Sequence, residues 1–192
     1  MNFCTLLLAA AIQQDEGKEY WNFKTGTQWL YVEKAGKNTT TSKMTVKEVK
    51  DGKVFLDNEE TKEGENEPFK TEKLCMFFDD GCVKWSKIEE DQEKVMFHIF
   101  KPASKKGDKW KSPFADSGTE VEIENVGTED ITVFEKEYKG AIHCRFEIDR
   151  GEENPKMTAD FYFSKGIGLV KMEMKSGKET FSIELKEFKA GK

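Results

Sequence analysis

The chain has 192 residues, of which 35% are charged, with 31 Lys and Arg against 37 Asp and Glu and a formal charge of −6. That length suffices for one domain with a real core. The two signs are interspersed, and the longest basic cluster (Lys105, Lys106, Lys109, Lys111) is broken by Gly107, Asp108 and Trp110, so no nucleic-acid partner is expected.

The N-terminus reads MNFCTLLLAAAIQQDEG, and Phe3 to Ile12 carries no charge. The run is too short to cross a bilayer, which takes about 20 residues. It fits the apolar part of a signal peptide, with Ala9-Ala10-Ala11 as a small-x-small cleavage site. We read residues 1–14 as a signal peptide and 15–192 as a single antiparallel β domain. A short buried N-terminal strand is the other reading, because no Lys or Arg precedes the run. Cys4 lies too early for lipid attachment, and no other segment could span a membrane.

The stretch YWNFKTGTQWLYVEK, Tyr20 to Lys34, carries a Gly26-x-x-Trp29 that recurs as Gly107-x-x-Trp110. Each is expected to turn the chain and open a strand, with Trp29 and Tyr31 on one face and Leu30 and Val32 on the other. Each is followed by strand-like runs around a central turn, MTVKEVKDGKVFLD and VEIENVGTEDITVF. That suggests a weak internal duplication of two similar halves.

Beyond Trp29 the chain alternates with period two, the mark of strands with one dry and one wet face. Asn58 to Lys70, NEETKEGENEPFK, is acidic with Pro and Gly, and reads as a loop. CMFF (Cys75–Phe78) and VMFHIF (Val95–Phe100) are apolar on both faces, so either the sheet rolls over on itself or a segment or ligand covers its second face. WSKIEEDQEK, Trp85 to Lys94, is either one helical turn or the end of a long hairpin. Val121 and Ile123 share a face, as do Cys144, Phe146 and Ile148, Val170, Met172 and Met174, and Phe181, Ile183 and Leu185. Asp-Gly and Ser-Gly pairs between these runs mark tight hairpins.

Chemistry is sparsely signalled. The chain has 2 histidines. His143 falls on the wet face beside Arg145 and Glu147 and reads as solvated, whereas His98 shares a face with Met96 and Phe100. No nucleophile elbow, zinc-protease helix, phosphate loop or dinucleotide loop is present, and no cofactor is expected. Asp79-Asp80 and Glu89-Glu90-Asp91 are contiguous and sit in turns, unlike the alternating oxygens of a calcium loop. No Cys-x-x-Cys occurs, so Cys75, Cys82 and Cys144 are buried thiols or include one disulfide. Aromatics reach 12%, with 15 Phe. Tryptophans supply core bulk or line a pocket.

YWNFKTGTQWLYVEK resembles the N-terminal Tyr-(Phe/Trp)-Pro-Leu-x-x-Gly-x-x-Trp-x-Tyr motif of a broad group of exported bacterial proteins of unknown function. The resemblance continues through KKGDKWKSP, VFEKEYKGAIHCRFEI and ADFYFSKGIGLVKMEMKSGKETFSIELKEF, the last similar to the group's Gly-x-Gly-Leu-Val-Lys strand. It departs at Asn22, where the group favours Pro, and at Ser164-Lys165, where it has Ala-Pro. It implies an antiparallel β domain in a bacterial periplasm or outside the cell, and brings no catalytic residues with it. Lipocalins also carry a Gly-x-Trp at their first strand, but here the spacing is one residue longer.

The expected fold is all-β with little helix: a strongly curved antiparallel sheet, half-barrel or barrel-like, whose dry concave face is filled by Phe, Trp, Met and Leu. Such sheets hold apolar ligands in their lumens. The leading functional reading is a non-enzymatic envelope protein binding an apolar small molecule, a lipid or a protein partner, with Trp29, Trp85, Met96, His98, Phe100 and Trp110 as candidate contacts. The alternatives are an envelope hydrolase using carboxylates or His98, and a structural domain with a solid core.

Overall fold

The computed structural model describes residues 20, 23–90, 92–114, 119–149 and 155–192. The signal segment read over residues 1–14, and Trp21 with Asn22 of the N-terminal motif, lie outside the described residues. Among the described residues, twelve strands make up the regular structure: β1 (Gln28–Ala35), β2 (Asn38–Lys50), β3 (Lys53–Lys62), β4 (Lys70–Asp79), β5 (Cys82–Glu89), β6 (Gln92–Phe100), β7 (Lys109–Phe114), β8 (Thr119–Val133), β9 (Lys136–Ile148), β10 (Met157–Ser164), β11 (Gly168–Ser176) and β12 (Glu179–Lys189). They form one sheet in the order β6-β5-β4-β3-β2-β1-β12-β11-β10-β9-β8-β7. All the pairings are antiparallel.

The sheet curls until its ends, β6 and β7, meet. Among the described residues no ladder joins them. Instead Trp110 Nε1 donates to the His98 carbonyl at 2.9 Å, the His98 amide donates to Ser112 Oγ at 2.8 Å, and the Phe97 and Phe114 rings meet edge-on at 5.6 Å. The result is a barrel nearly closed, with one seam held by side chains.

The two Gly-x-x-Trp motifs open equivalent strands. The Gly26 amide donates to the Val46 carbonyl at 2.8 Å, and the Gly107 amide donates to the Asn125 carbonyl at 2.7 Å. Both glycines hold left-handed φ values, 82° and 89°, which a side chain would strain. Each strand then leads a six-strand meander, β1 to β6 and β7 to β12.

One end of the barrel, where β1 begins and β12 finishes, is plugged. Trp29 is fully buried with its Nε1 donating to the Ile167 carbonyl at 2.7 Å, and Phe100 stacks on Phe163 at 4.5 Å and meets Tyr20 edge-on at 4.8 Å. Burying each such side chain contributes about 1.5–3 kcal/mol. A chain of rings from Phe114 through Phe146 to Phe161 fills the β7–β10 side.

Several sequence expectations are corrected, and two open alternatives are decided. Asn58 to Lys70 is not all loop: β3 continues to Lys62 and β4 starts at Lys70, because Asn58 and Glu60 face inward and pair with Ser42 and Lys70. Trp85 to Lys94 is a β5–β6 hairpin, closed at Glu89 opposite Gln92. VMFHIF is buried on both faces only at Ile99 and Phe100, since β6 is a sheet end whose Val95 to His98 are half-buried. Cys75, Cys82 and Cys144 are separate buried thiols, with no disulfide among the described residues. His143, on the outer face, is only 7% exposed. Tyr162 stacks on its ring at 4.6 Å, and its nitrogens meet Glu129 at 2.8 Å and Asp160 at 2.5 Å.

Candidate functional site: a half-polar lumen

Between the plugged end and the opposite mouth, the barrel holds a cavity of about 390 Å³. Its size falls within the range of small-molecule sites, about 300–1,000 Å³. One wall is apolar and comes from β10 to β12: Phe161, Leu169, Met172, Met174 and Ile183. A bulge at Val170 shifts the β11 register, so Leu169 joins Met172 and Met174 in the lumen. Tyr31, Met44, Leu74, Trp85, Met96, Phe97 and Ile99 face them from β1 to β6.

Above that apolar floor, toward the mouth, runs a belt of polar side chains contributed by five adjacent strands: Glu33, Ser42, Asn58, Lys70, Glu72 and Lys87. Ser42 Oγ donates to Asn58 Oδ1 at 2.6 Å. Lys70 bridges Glu60 and Glu72, each at 3.1 Å, and Lys87 bridges Glu72 at 2.9 Å and Glu89 at 2.6 Å. Burial pushes the Glu72 carboxyl up, but the hydrogen bonds from Lys87 and Lys70 outweigh it and leave the group below its ordinary range. Glu33 differs. Burial, reinforced by the charge of Glu60, raises its pKa, and the Ser42 hydroxyl and the more distant Lys70 do not compensate. Two polar groups of the lumen are thus poorly matched, Glu33 and the buried Nε1 of Trp85, which has no hydrogen-bond partner. Tyr31 is satisfied, its hydroxyl donating to the Leu169 carbonyl at 3.0 Å.

A larger but more open groove of about 580 Å³ lies at the mouth, over Ala35, Gly36 and Lys178 to Phe181, and shares Met174 with the lumen. It is lined by the ends of β1, β11 and β12 and the turns beside them, with Phe181 as its one aromatic side chain, so it forms an outer lip rather than a second site.

Of the six contacts expected from sequence, Trp85 and Met96 line the lumen. Trp29 and Phe100 lie in the plug, and Trp110 holds the seam. His98 is also at the seam, its Nδ1 3.1 Å from the Lys111 carbonyl. In the β5–β6 ladder the register shift after Val83 turns His98 away from the face of Phe100, and the shift after Trp85 separates it from Met96. Sequence reading missed the whole belt. A signal was available: in β2, β3, β4 and β5 the inward face runs from apolar (Val46, Leu56, Met76, Val83) to polar (Ser42, Asn58, Glu72, Lys87) without losing its alternation.

No family model matches the sequence, and no curated protein matches it. Solved structures share the fold. A candidate lipoprotein from Parabacteroides distasonis superposes with a TM-score of 0.61 at 14% identity, covering 88% of this chain and 98% of its own. A candidate exported protein with a YmcC-like fold from Bacteroides fragilis superposes with a TM-score of 0.58 at 14% identity, with the same coverage. At that identity the likeness establishes the fold.

Proposed function

We propose that the chain is an exported bacterial protein that binds an apolar small molecule or lipid in its lumen and performs no chemistry on it. One observation carries the reading: the cavity of about 390 Å³ lined by Trp85, Phe97, Phe161 and four methionines, in a barrel whose other end is solidly packed. A protein with no ligand gains stability by filling such a space. Export is favoured by the uncharged run Phe3 to Ile12, and agrees with the descriptions of the two proteins that share the fold.

The hydrolase reading is weaker. His98 faces a backbone carbonyl. Cys75 lies on the outer face, in register with Phe55 and Ser86, and burial raises its thiol pKa to about 11, away from a nucleophile's range.

The test is titration with N-phenyl-naphthylamine, whose fluorescence rises in apolar surroundings. Wild type should show a single saturable site, and Ile183→Trp, which fills the lumen, should lose it. No saturable binding by the folded wild type, or unchanged binding by the filled variant, would remove the lumen from the account.

A further inference from the structure

We propose that the lumen selects an amphipathic ligand with a cationic amine head, which Glu33 receives at the mouth while the aliphatic chain lies against the methionine wall. This rests on the lumen-binding reading above and adds the charge and shape of the ligand.

The charge follows from which belt groups are already engaged. Lys70 and Lys87 each hold two carboxylates. An anionic head would have to displace a partly buried ion pair to reach either one, leaving a carboxylate uncompensated. It would also face Glu33 and Glu60. Glu33, by contrast, forms no ion pair among the described residues, and the neighbouring Ser42 hydroxyl gives its proton to Asn58 Oδ1. The belt and its rim carry Glu33, Glu60, Glu72 and Glu89 against Lys70 and Lys87. The field at the mouth is therefore negative and attracts a cation. In the empty protein, burial disfavours the Glu33 anion; an ammonium group beside it reverses that penalty by direct charge pairing.

The position of Glu33 supplies the rest. In the β1–β12 ladder it sits directly opposite Ile183, and Ile183 sits opposite Met172 in the β12–β11 ladder. A head held at Glu33 therefore places the first carbons of its chain on Ile183 and Met172. Met44, Met96 and Met174 continue the lining. Unbranched thioether side chains adapt to a flexible chain, whereas a rigid polycyclic ligand would call for a fixed shape.

Decylamine and decanoate share one chain length and differ in head charge. Their affinities are compared by calorimetry at neutral pH for wild type, Glu33→Gln and Glu33→Met, with circular dichroism confirming the fold of each variant. Wild type should bind the amine at least about tenfold more tightly than the acid, the size of a charge-assisted hydrogen bond. At least one folded Glu33 variant should abolish that ratio by losing amine affinity, while binding the acid no more weakly than wild type does. A wild type that prefers decanoate or binds both equally, or a ratio unchanged in the variants, overturns the amine assignment and leaves lumen binding standing. If neither chain binds wild type, the lumen-binding reading itself falls, and the amine assignment with it.

Discussion

The same substitution, Trp→Phe, should have different consequences at three positions, because the indole nitrogen has a different role at each. At Trp29, fully buried, Nε1 donates to the Ile167 carbonyl at 2.7 Å. Phenylalanine leaves that carbonyl without its donor, at a cost of about 1–3 kcal/mol. The smaller ring forfeits roughly another 1 kcal/mol of buried surface and leaves a void. The carbonyl is only part-buried, so the total should fall near the low end, about 2–3 kcal/mol. Trp110→Phe removes the bond to the His98 carbonyl across the seam and should cost about 2 kcal/mol. At Trp85 the buried Nε1 has no partner. Removing it relieves an unsatisfied donor while losing a little surface, so the net change should lie within about 0.5 kcal/mol of zero. Urea melts followed by circular dichroism measure all three, with an unchanged slope as the control for a two-state comparison. A Trp85→Phe cost equal to that of Trp29→Phe, or replacement of both motif tryptophans for less than about 0.5 kcal/mol, would refute these roles for the indole nitrogens.

Two carboxylates should give stability opposite dependences on pH. The Glu33 carboxyl is raised by burial from its ordinary 4.5, so the folded state binds its proton more tightly than the unfolded one. Its contribution therefore falls as pH rises above 4.5, and Glu33→Gln should gain on wild type in the ligand-free protein from acid to neutral pH. Asp160 is the reverse: burial raises it, but hydrogen bonds from His143 and Arg145 hold it below its ordinary 3.8. The stability it contributes is present above 3.8 and lost as pH falls below it, so Asp160→Asn should flatten the acid limb of the stability curve. Urea midpoints measured across that range check both signs. Burial pushes the Cys144 thiol up to about 12 and the Cys75 thiol to about 11. Peptide mapping after iodoacetamide treatment at neutral pH should find Cys75, Cys82 and Cys144 unmodified in the folded protein and alkylated after unfolding.

The strands were legible wherever side-chain alternation was simple. Phe181, Ile183 and Leu185 share a half-buried to buried face, and Val121 with Ile123 and Cys144 with Phe146 are buried together, as the period-two pattern requires. The barrel-like curve was legible from the same one-sided dryness. What alternation does not encode is where the register slips. Shifts beside Val83 and Trp85 decide that His98 belongs to the seam, and the slip at Val170 brings Leu169 inward. Nor does it distinguish an inward carboxylate from an outward one. Glu33 and Glu72 look like wet-face residues until the barrel closes around them. The Asn58 to Lys70 segment is a solvated loop only over residues 63–69; its flanks were misread for the same reason, because Asn58 and Lys70 belong to the lumen face of β3 and β4. His143 shows the complementary limit: its outward face is correct, but only the packing of Tyr162 and the paired Glu129 and Asp160 makes it a buried group.

Native mass spectrometry of the protein purified from the cells that make it tests ligand binding in the lumen most directly. The expected spectrum contains a species heavier than the bare chain, whose extra mass is released on denaturation and is missing from Ile183→Trp. A spectrum of bare chain alone, from a folded preparation that also fails to take up N-phenyl-naphthylamine, would contradict it.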